Sequence, residues 1–262
     1  MIKIVPAFKA ENVLKKFLRP VGICKKILHF KKIGSTQTKI KNFAQKGFPE
    51  GTVVIADEQS ASYGRMQRKW FSPAGGLWFS MLLKPKIYPD AASNLSLLTA
   101  LALNAALEKD YGIKTKIKWP NDILFEDKII AGIIIEMSAE QDIVNWVAAG
   151  VGVNIDNILP DTLPEAAALG KIFKKNIRRD ELLASFLIEF NKIYNTFCKF
   201  GFGGFCEEYN KNHAFMNESV IIDGGFGIIK GINKGIGEDG KIIIETEKGI
   251  EKIISGTLRR SG

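Results

Sequence analysis

The sequence predicts an α+β body, with a mixed sheet and packed helices, followed by a small antiparallel β-barrel. Three observations carry this. Short apolar runs of strand length alternate with helical stretches as far as residue 153, and a long amphipathic stretch from Arg179 to Phe200 has helical period. After Phe215 only short runs remain, separated by Asp-Gly and Lys-Gly turns.

Taken in order, Glu11 to Leu18 has room for two helical turns before Pro20 and Gly22 stop them. Ile27 to Ile33 is apolar enough for a strand. Ser35 or Thr36 then caps a helix running to Gln45, ended by Gly47 and Pro49. Thr52 to Ala56 and Leu77 to Leu83 read as buried strands flanking a polar, glycine-containing loop. From Ala91 to Lys109 leucines and alanines run almost all round a helix, which implies burial, and Gly112 is placed to end it. Strands are expected over Lys114–Lys118, Ile129–Met137 and Val144–Val153, followed by two turns of helical character. In the helix Arg179–Phe200, the residues Leu183, Phe186, Leu187, Phe190, Tyr194 and Phe197 share one side. The barrel strands are expected at Ser219–Ile222, Gly227–Ile232, Lys241–Glu245 and Ile250–Ile254, with a last strand reaching Arg259. The glycines between them are read as hairpin turns, because no helix follows to make a phosphate loop. Three segments follow: an N-terminal extension over 1–27, a body over 28–214 and the barrel over 215–262.

Composition narrows the function classes. With 262 residues, 46% hydrophobic and 25% charged, the chain resembles a globular protein and not a disordered or collagenous one. A formal charge of +9 suits an anionic partner such as a nucleotide or an acidic carrier protein. The lysines are scattered, however, and pairs such as Lys15-Lys16, Lys25-Lys26 and Lys174-Lys175 read as solvated faces. Cys24, Cys198 and Cys206 are odd in number and lack CxxC spacing, which argues against a disulfide framework and against a zinc site. No leader-like or membrane-length apolar segment is visible, so a cytoplasmic location is expected. His29 and His213 have no partner motif and read as structural.

Two segments are suited to chemistry. Between the strands, Gln59 to Trp70 places Arg65, Arg68 and Lys69 within five positions, so a sheet-held loop offers cations and backbone amides to phosphates. A basic surface loop with no function would look similar. Further on, Lys118-Trp119-Pro120-Asn121-Asp122 sets a cation and a carboxylate at a strand end, where proline imposes an extended or turning path. A simple turn would also read this way.

Together the segments are more specific. Gln59-x5-Arg65-x2-Arg68-Lys69-Trp70-x-Ser72-Pro73-x-Gly75-Gly76-Leu77, then Lys118 to Asp122, Ala131-Gly132-Ile133 and Gly150-Val151-Gly152-Val153-Asn154, resemble the biotin protein ligases in order and separation. The resemblance extends from about Ile33 to Arg259. It implies the biotin/lipoate ligase body, which is class II synthetase-like, with an SH3-like C-terminal barrel. It also implies two steps: biotin reacts with MgATP to give biotinyl-AMP and pyrophosphate, and a lysine of a biotin carrier protein then displaces AMP.

The resemblance assigns Ser35, Thr36 and Gln59 to biotin's ureido ring, and Arg65, Arg68 and Lys118 to the phosphate. Asp122 would serve the incoming lysine, Asn154 the nucleotide side, and Trp70 a ring or wall against the ligand. Ser62, Tyr63, Gly64, Asn121, Gly132 and Gly152 are expected to line the binding site. ATP, Mg2+ and biotin are the expected ligands and a biotin carrier protein the expected partner, with a homodimer allowed for. No membrane partner is expected, and the 27 leading residues are too few for a helix-turn-helix, which argues against DNA binding. A lipoate or octanoate transferase on the same fold is the alternative enzyme. A biotin-binding paralogue is the alternative with weakened or absent catalysis.

Two positions depart from the family pattern. Ser62 stands where the family's Gly-x-Gly-Arg has its first glycine. Three residues before Gly132, where the family has a lysine, stands Ile129, and the nearest lysine is Lys128. On a strand, a one-residue displacement reverses the face. Lys128 therefore serves only if the preceding hairpin has shifted register, and otherwise Ile129 leaves the site without that cation.

Overall fold

The computed structural model describes residues 8, 9, 13, 22–173, 176–224 and 227–261. Apart from Val13, the helix expected over Glu11–Leu18 lies outside these residues, as do Lys174-Lys175 and Gly225. Seven strands form one mixed sheet: β1 (Lys26–Ile33), β2 (Thr52–Gln59), β3 (Leu77–Leu83), β4 (Lys116–Lys118), β5 (Asp122–Phe125), β6 (Lys128–Glu140) and β7 (Ile143–Val153). Their spatial order is β1-β2-β3-β7-β6-β5-β4, and only the β1–β2 pair is parallel.

Strand periodicity divides the sheet into a filled face and a sparse one. On β7 the odd residues Val147, Ala149, Val151 and Val153 enter the main core, together with Phe79 and Met81 of β3 and Ala131 and Ile133 of β6. Helices α2 (Asn94–Tyr111) and α3 (Arg179–Phe200) pack on that side and on each other. The left-handed Gly112, at φ 71°, ends α2 while its N–H reaches Glu108 O. On the opposite face Val54, Leu82 and Ala148 pack against Ile40 and Ala44 of α1 (Thr36–Gln45). Beyond α1, that face carries Ser80, Gly132, Gly150 and Gly152, which are too small to fill it.

The second unit is a five-stranded antiparallel, SH3-like sheet: β8 (Ser219–Asp223), β9 (Ile228–Ile236), β10 (Ile242–Thr246), β11 (Gly249–Ile253) and β12 (Thr257–Arg260), ordered β11-β10-β9-β8-β12. A short helix, α4 (Cys206–Asn212), precedes it, and its Tyr209 is buried in the common core.

Several expectations need correction. Asp122 does not end a strand but begins β5, which the Asn-Asp pair concealed by reading as a turn. The strand expected from Lys114 starts at Lys116. The helix expected from Ala91 starts at Asn94, after a separate turn at Pro89–Ala92. Of the two turns of helical character expected before α3, the structure has Leu169–Ile172, while residues 157–167 run as a loop.

Candidate active site

The site lies where the sparse sheet face meets two connections, the loop between β2 and β3 and the hairpin between β4 and β5. A slot of about 50 Å³ is lined by Ser35, Thr36, Gln59, Ser62, Tyr63 and Gly64, with Trp70, Asn121, Gly132 and Gly152 also contributing. A larger cavity of about 200 Å³ adjoins it. Arg65, Arg68, Lys118, Asp122 and Asn154 line this cavity, together with Ile129 and residues 256–258 of the C-terminal sheet. Gly64, Trp70 and Asn121 line both.

Each wall of the slot follows from local sequence. Ser35 caps α1 by accepting from Thr38 N at 3.3 Å, which places Thr36 at the start of the helix. Thr36 N donates to Gln59 Oε1 at 2.7 Å, and Ser80 Oγ donates to Thr36 Oγ1 at 2.9 Å, leaving the Thr36 hydroxyl proton available. Gln59 Nε2 donates to Ser72 Oγ at 3.1 Å; Ser72 Oγ lies 2.7 Å from Ser62 Oγ, which donates to Trp70 O at 2.8 Å. The chain of bonds therefore runs from α1 through the loop. Ser62 is accommodated without left-handed backbone, since the loop's positive-φ residues are Met66 at 55° and Gln67 at 56°. In place of a glycine's freedom, Ser62 contributes a fixed hydroxyl.

In the larger cavity, Arg65 Nη1 donates to Asn121 Oδ1 at 3.1 Å and to Gly256 O at 3.2 Å. This contact ties the loop to the hairpin and to the C-terminal sheet. Asn121 Nδ2 donates to Asp122 Oδ1 and to Ile133 O, each at 3.2 Å. Lys118 Nζ stands 3.9 Å from Asp122 Oδ2. Burial raises the Asp122 carboxyl above the ordinary carboxylate range, against the opposing pull of Lys118, Arg65 and Arg68. Burial likewise pulls Arg65 down, although a guanidinium stays charged. Asn154 is buried, its Oδ1 accepting from Asn157 Nδ2 at 3.0 Å. The arrangement offers neutral hydrogen-bonding groups in a narrow slot that opens into a cavity lined with cations. That combination suits a small molecule with a polar head in the slot and its reacting end directed at an anion.

Comparison with known proteins fits this geometry. The model of the Biotin/lipoate A/B protein ligase family matches residues 29–154. The bifunctional ligase/repressor BirA of Bacillus subtilis is 34% identical over 261 residues, spanning 97% of this chain and 79% of that protein. The biotin--[acetyl-CoA-carboxylase] ligase of Paracoccus denitrificans is 31% identical, over 76% of this chain and 86% of its own length. A solved biotin protein ligase from Aquifex aeolicus, in complex with biotin and ATP, superposes with a TM-score of 0.81 at 31% identity, covering 90% of this chain and all of that one. The chain belongs to the biotin protein ligases.

Among the expected site residues of this biotin protein ligase, the structure leaves Lys128 out of both cavities. Between the pairs Ile123↔Ala131 and Leu124↔Ile129, β6 carries one extra residue. This bulge puts Ile130 and Ala131 both into the core and turns Ile129 to the cavity. Lys128 is exposed, and its Nζ donates to Pro164 O at 2.7 Å. The hairpin does shift register, but the shift delivers Ile129 and not Lys128.

Other residues of the site were not foreseen. Gln37 is buried beside Thr36 and lines the slot; its Nε2 donates to Ala148 O at 3.0 Å while its Oε1 has no partner. Its place directly after Ser35-Thr36 was the available signal. The loop carrying Leu159, Leu163, Glu165 and Ala166 walls the larger cavity and is held to β6 by Ile129 N donating to Glu165 O at 2.8 Å and Ala167 N to Ile129 O at 3.0 Å. Nothing in its sequence announces this role. His29 and His213 line neither cavity.

Proposed function

We propose that the chain activates biotin with ATP and transfers it to a lysine of a biotin carrier protein. The observation that supports this best is the shared lining of slot and cavity at Gly64, Trp70 and Asn121. Biotin held by its ureido ring in the slot would present its carboxylate at this junction, where a nucleotide's α-phosphate in the cavity would meet it.

In the first step a carboxylate oxygen attacks the α-phosphorus, the bond to the bridging oxygen breaks, and pyrophosphate leaves. Arg65, already directed by Asn121 and Gly256, and Lys118 stabilise the negative charge that builds on the phosphate, with Arg68 at the cavity's exposed rim. Trp70 walls the junction from the loop side. In the second step the carrier's lysine amine attacks the acyl carbon, and AMP leaves with the bonding electrons. Asp122, beside Lys118, accepts a proton from the amine. Thr36 and Gln37 supply a free hydroxyl proton and a free carbonyl oxygen, the pair that a urea group's acceptor and donors require.

Mg2+ would arrive with the nucleotide, on its phosphate oxygens, as a hard cation that keeps several of its waters. Bound there, it would draw charge from the leaving pyrophosphate. Among the described residues no helix is long and apolar enough to cross a membrane. We also propose the working division of body, 28–214, and C-terminal unit, 215–262, with the latter lending residues 256–258 to the nucleotide cavity.

The test is incubation with MgATP, biotin and a biotin carrier domain. Carrier biotinylation, with biotin-dependent pyrophosphate release, is expected; absence of both overturns the assignment. One observation favours a slower enzyme than the family pattern implies, namely Ile129 lining the cavity where a lysine is expected. A missing phosphate-directed cation costs about two to three decades in rate.

A further inference from the structure

Three side chains from three segments meet at the side of the slot. Tyr63, on the loop, donates from its hydroxyl to Glu136 Oε2 at 3.0 Å. Lys41, on α1, donates to Glu136 Oε1 at 2.7 Å, and its Nζ lies 5.6 Å from the centroid of the Tyr63 ring. The positions are set by periodicity. Glu136 follows Gly132 and Ile134 on the slot face of β6, and Lys41 stands four residues after Gln37, on the same side of α1. Tyr63 itself lines the slot. Its ring thus spans from the loop to the sheet, held by one oxygen of a carboxylate whose other oxygen is fixed by Lys41.

We propose that Tyr63, Glu136 and Lys41 form a strut at the side of the slot, and that these positioning residues retain biotin and its adenylate between the two steps. The inference rests on the biotin reading of the slot. The nucleotide side of the same loop is fastened separately, by Arg65 on Asn121 and Gly256 and by Gly64 N donating to Arg68 O at 2.7 Å. Loosening the strut therefore frees the biotin side while leaving the cation positions in place. The Lys41 and Glu136 side chains are only 28% and 27% exposed, so their pairing is less screened than that of a surface ion pair.

The test is a chase of labelled biotin from the full-length protein, run beside the ATP dependence of pyrophosphate release. Tyr63→Phe removes one oxygen and is expected to raise the biotin dissociation rate about tenfold or more, in line with the loss of one hydrogen bond to a charged group. Its ATP KM should stay within about twofold of the unaltered value, a split that general destabilisation would not produce. Glu136→Ala should release biotin faster still. Glu136→Gln, which keeps an oxygen for the Tyr63 hydroxyl, should restore much of the slow release, and adding Tyr63→Phe to Glu136→Ala should change little more. If Glu136→Ala fails to fold, Tyr63→Phe decides alone. Biotin release from folded Tyr63→Phe at the unaltered rate removes the strut and leaves the biotin reading standing. Failure of the unaltered protein to hold biotin removes both.

Discussion

Trp70 occupies the space that a side chain at Gly152 would need: a Cβ there would stand 2.5 Å from Trp70 Nε1, and a Cβ at Gly132 would stand 2.8 Å from Cζ3 of the same ring. The two glycines face each other across β6 and β7. The indole is thereby seated between the slot and the larger cavity, which both include it in their walls.

Replacing Gly152 by Ala should displace that ring. The expected result is a fall of at least about tenfold in kcat/KM for biotin with little loss of thermal stability, since the strand bonds are unaltered and an exposed loop gives way. Gly132→Ala should act in the same direction and more mildly, its contact being longer. Steady-state pyrophosphate release and a melting curve check both variants. A Gly152→Ala protein with unchanged kinetics would remove Trp70 from the site.

How much of this was legible in the sequence depends on how local each signal is. The helix α3 carries its own period, α2 and the strands β2, β3, β6 and β7 carry apolar runs of the right length, and the glycine-punctuated C-terminal runs carry their own turns. The slot residues Ser35, Thr36 and Gln59 and the loop cations could be placed because their segments resemble a family pattern. β5 could not, because Asn121-Asp122 has the composition of a turn and its strand character comes from pairing with β4 and β6. Nor could the bulge at Ile130, which is decided by how β5 and β6 pack their apolar residues. The loop from Leu159 to Ala166 is shaped by its bonds to Ile129, a long-range choice that leaves no periodic trace.

Ile129 and Lys128 give a matched pair of tests. Ile129→Lys places an ammonium at the cavity wall, among groups expected to act on the phosphate. Biotin-dependent pyrophosphate release should then rise by about tenfold or more. Lys128→Met loses only the exposed bond to Pro164 O, and should change kcat by less than about threefold, with any effect falling on the ATP KM through the loop it steadies. A large loss of kcat in Lys128→Met would mean that its ammonium reaches the reacting atoms.

His213 links folding stability to pH. It is buried, lying 3.2 Å from Ile117 O through Nδ1 and 3.4 Å from Asn233 Nδ2 through Nε2, and burial pulls its pKa down to about 4. With the folded pKa below the unfolded one, the unfolded chain binds the proton first as pH falls. Stability should therefore decline from about pH 6.5 toward pH 4, by up to about 1.4 kcal/mol per pH unit from this group. Denaturant unfolding at a series of pH values measures the slope, and His213→Gln should flatten it over that window. An unchanged slope would show that other groups carry the acid sensitivity.

Asp122 couples stability and transfer in opposite directions. Its folded pKa is raised, so its ionised form is disfavoured by folding; the stabilising contribution is present at low pH and lost as pH rises through the folded value. At neutral pH the ionised carboxylate is a cost, and Asp122→Asn, which cannot ionise, should raise Tm and not lower it. The same change removes the proposed acceptor of the amine proton. Transfer from preformed biotinyl-AMP to a carrier lysine should fall by about two decades or more, while pyrophosphate release changes far less. In the unaltered protein the transfer rate should rise with pH as the carboxyl ionises, with a midpoint above the ordinary carboxylate range, and this limb should be absent from Asp122→Asn. Single-turnover transfer across a pH series, with purified biotinyl-AMP supplied, isolates the step. A limb that persists in the variant would assign the proton to another group.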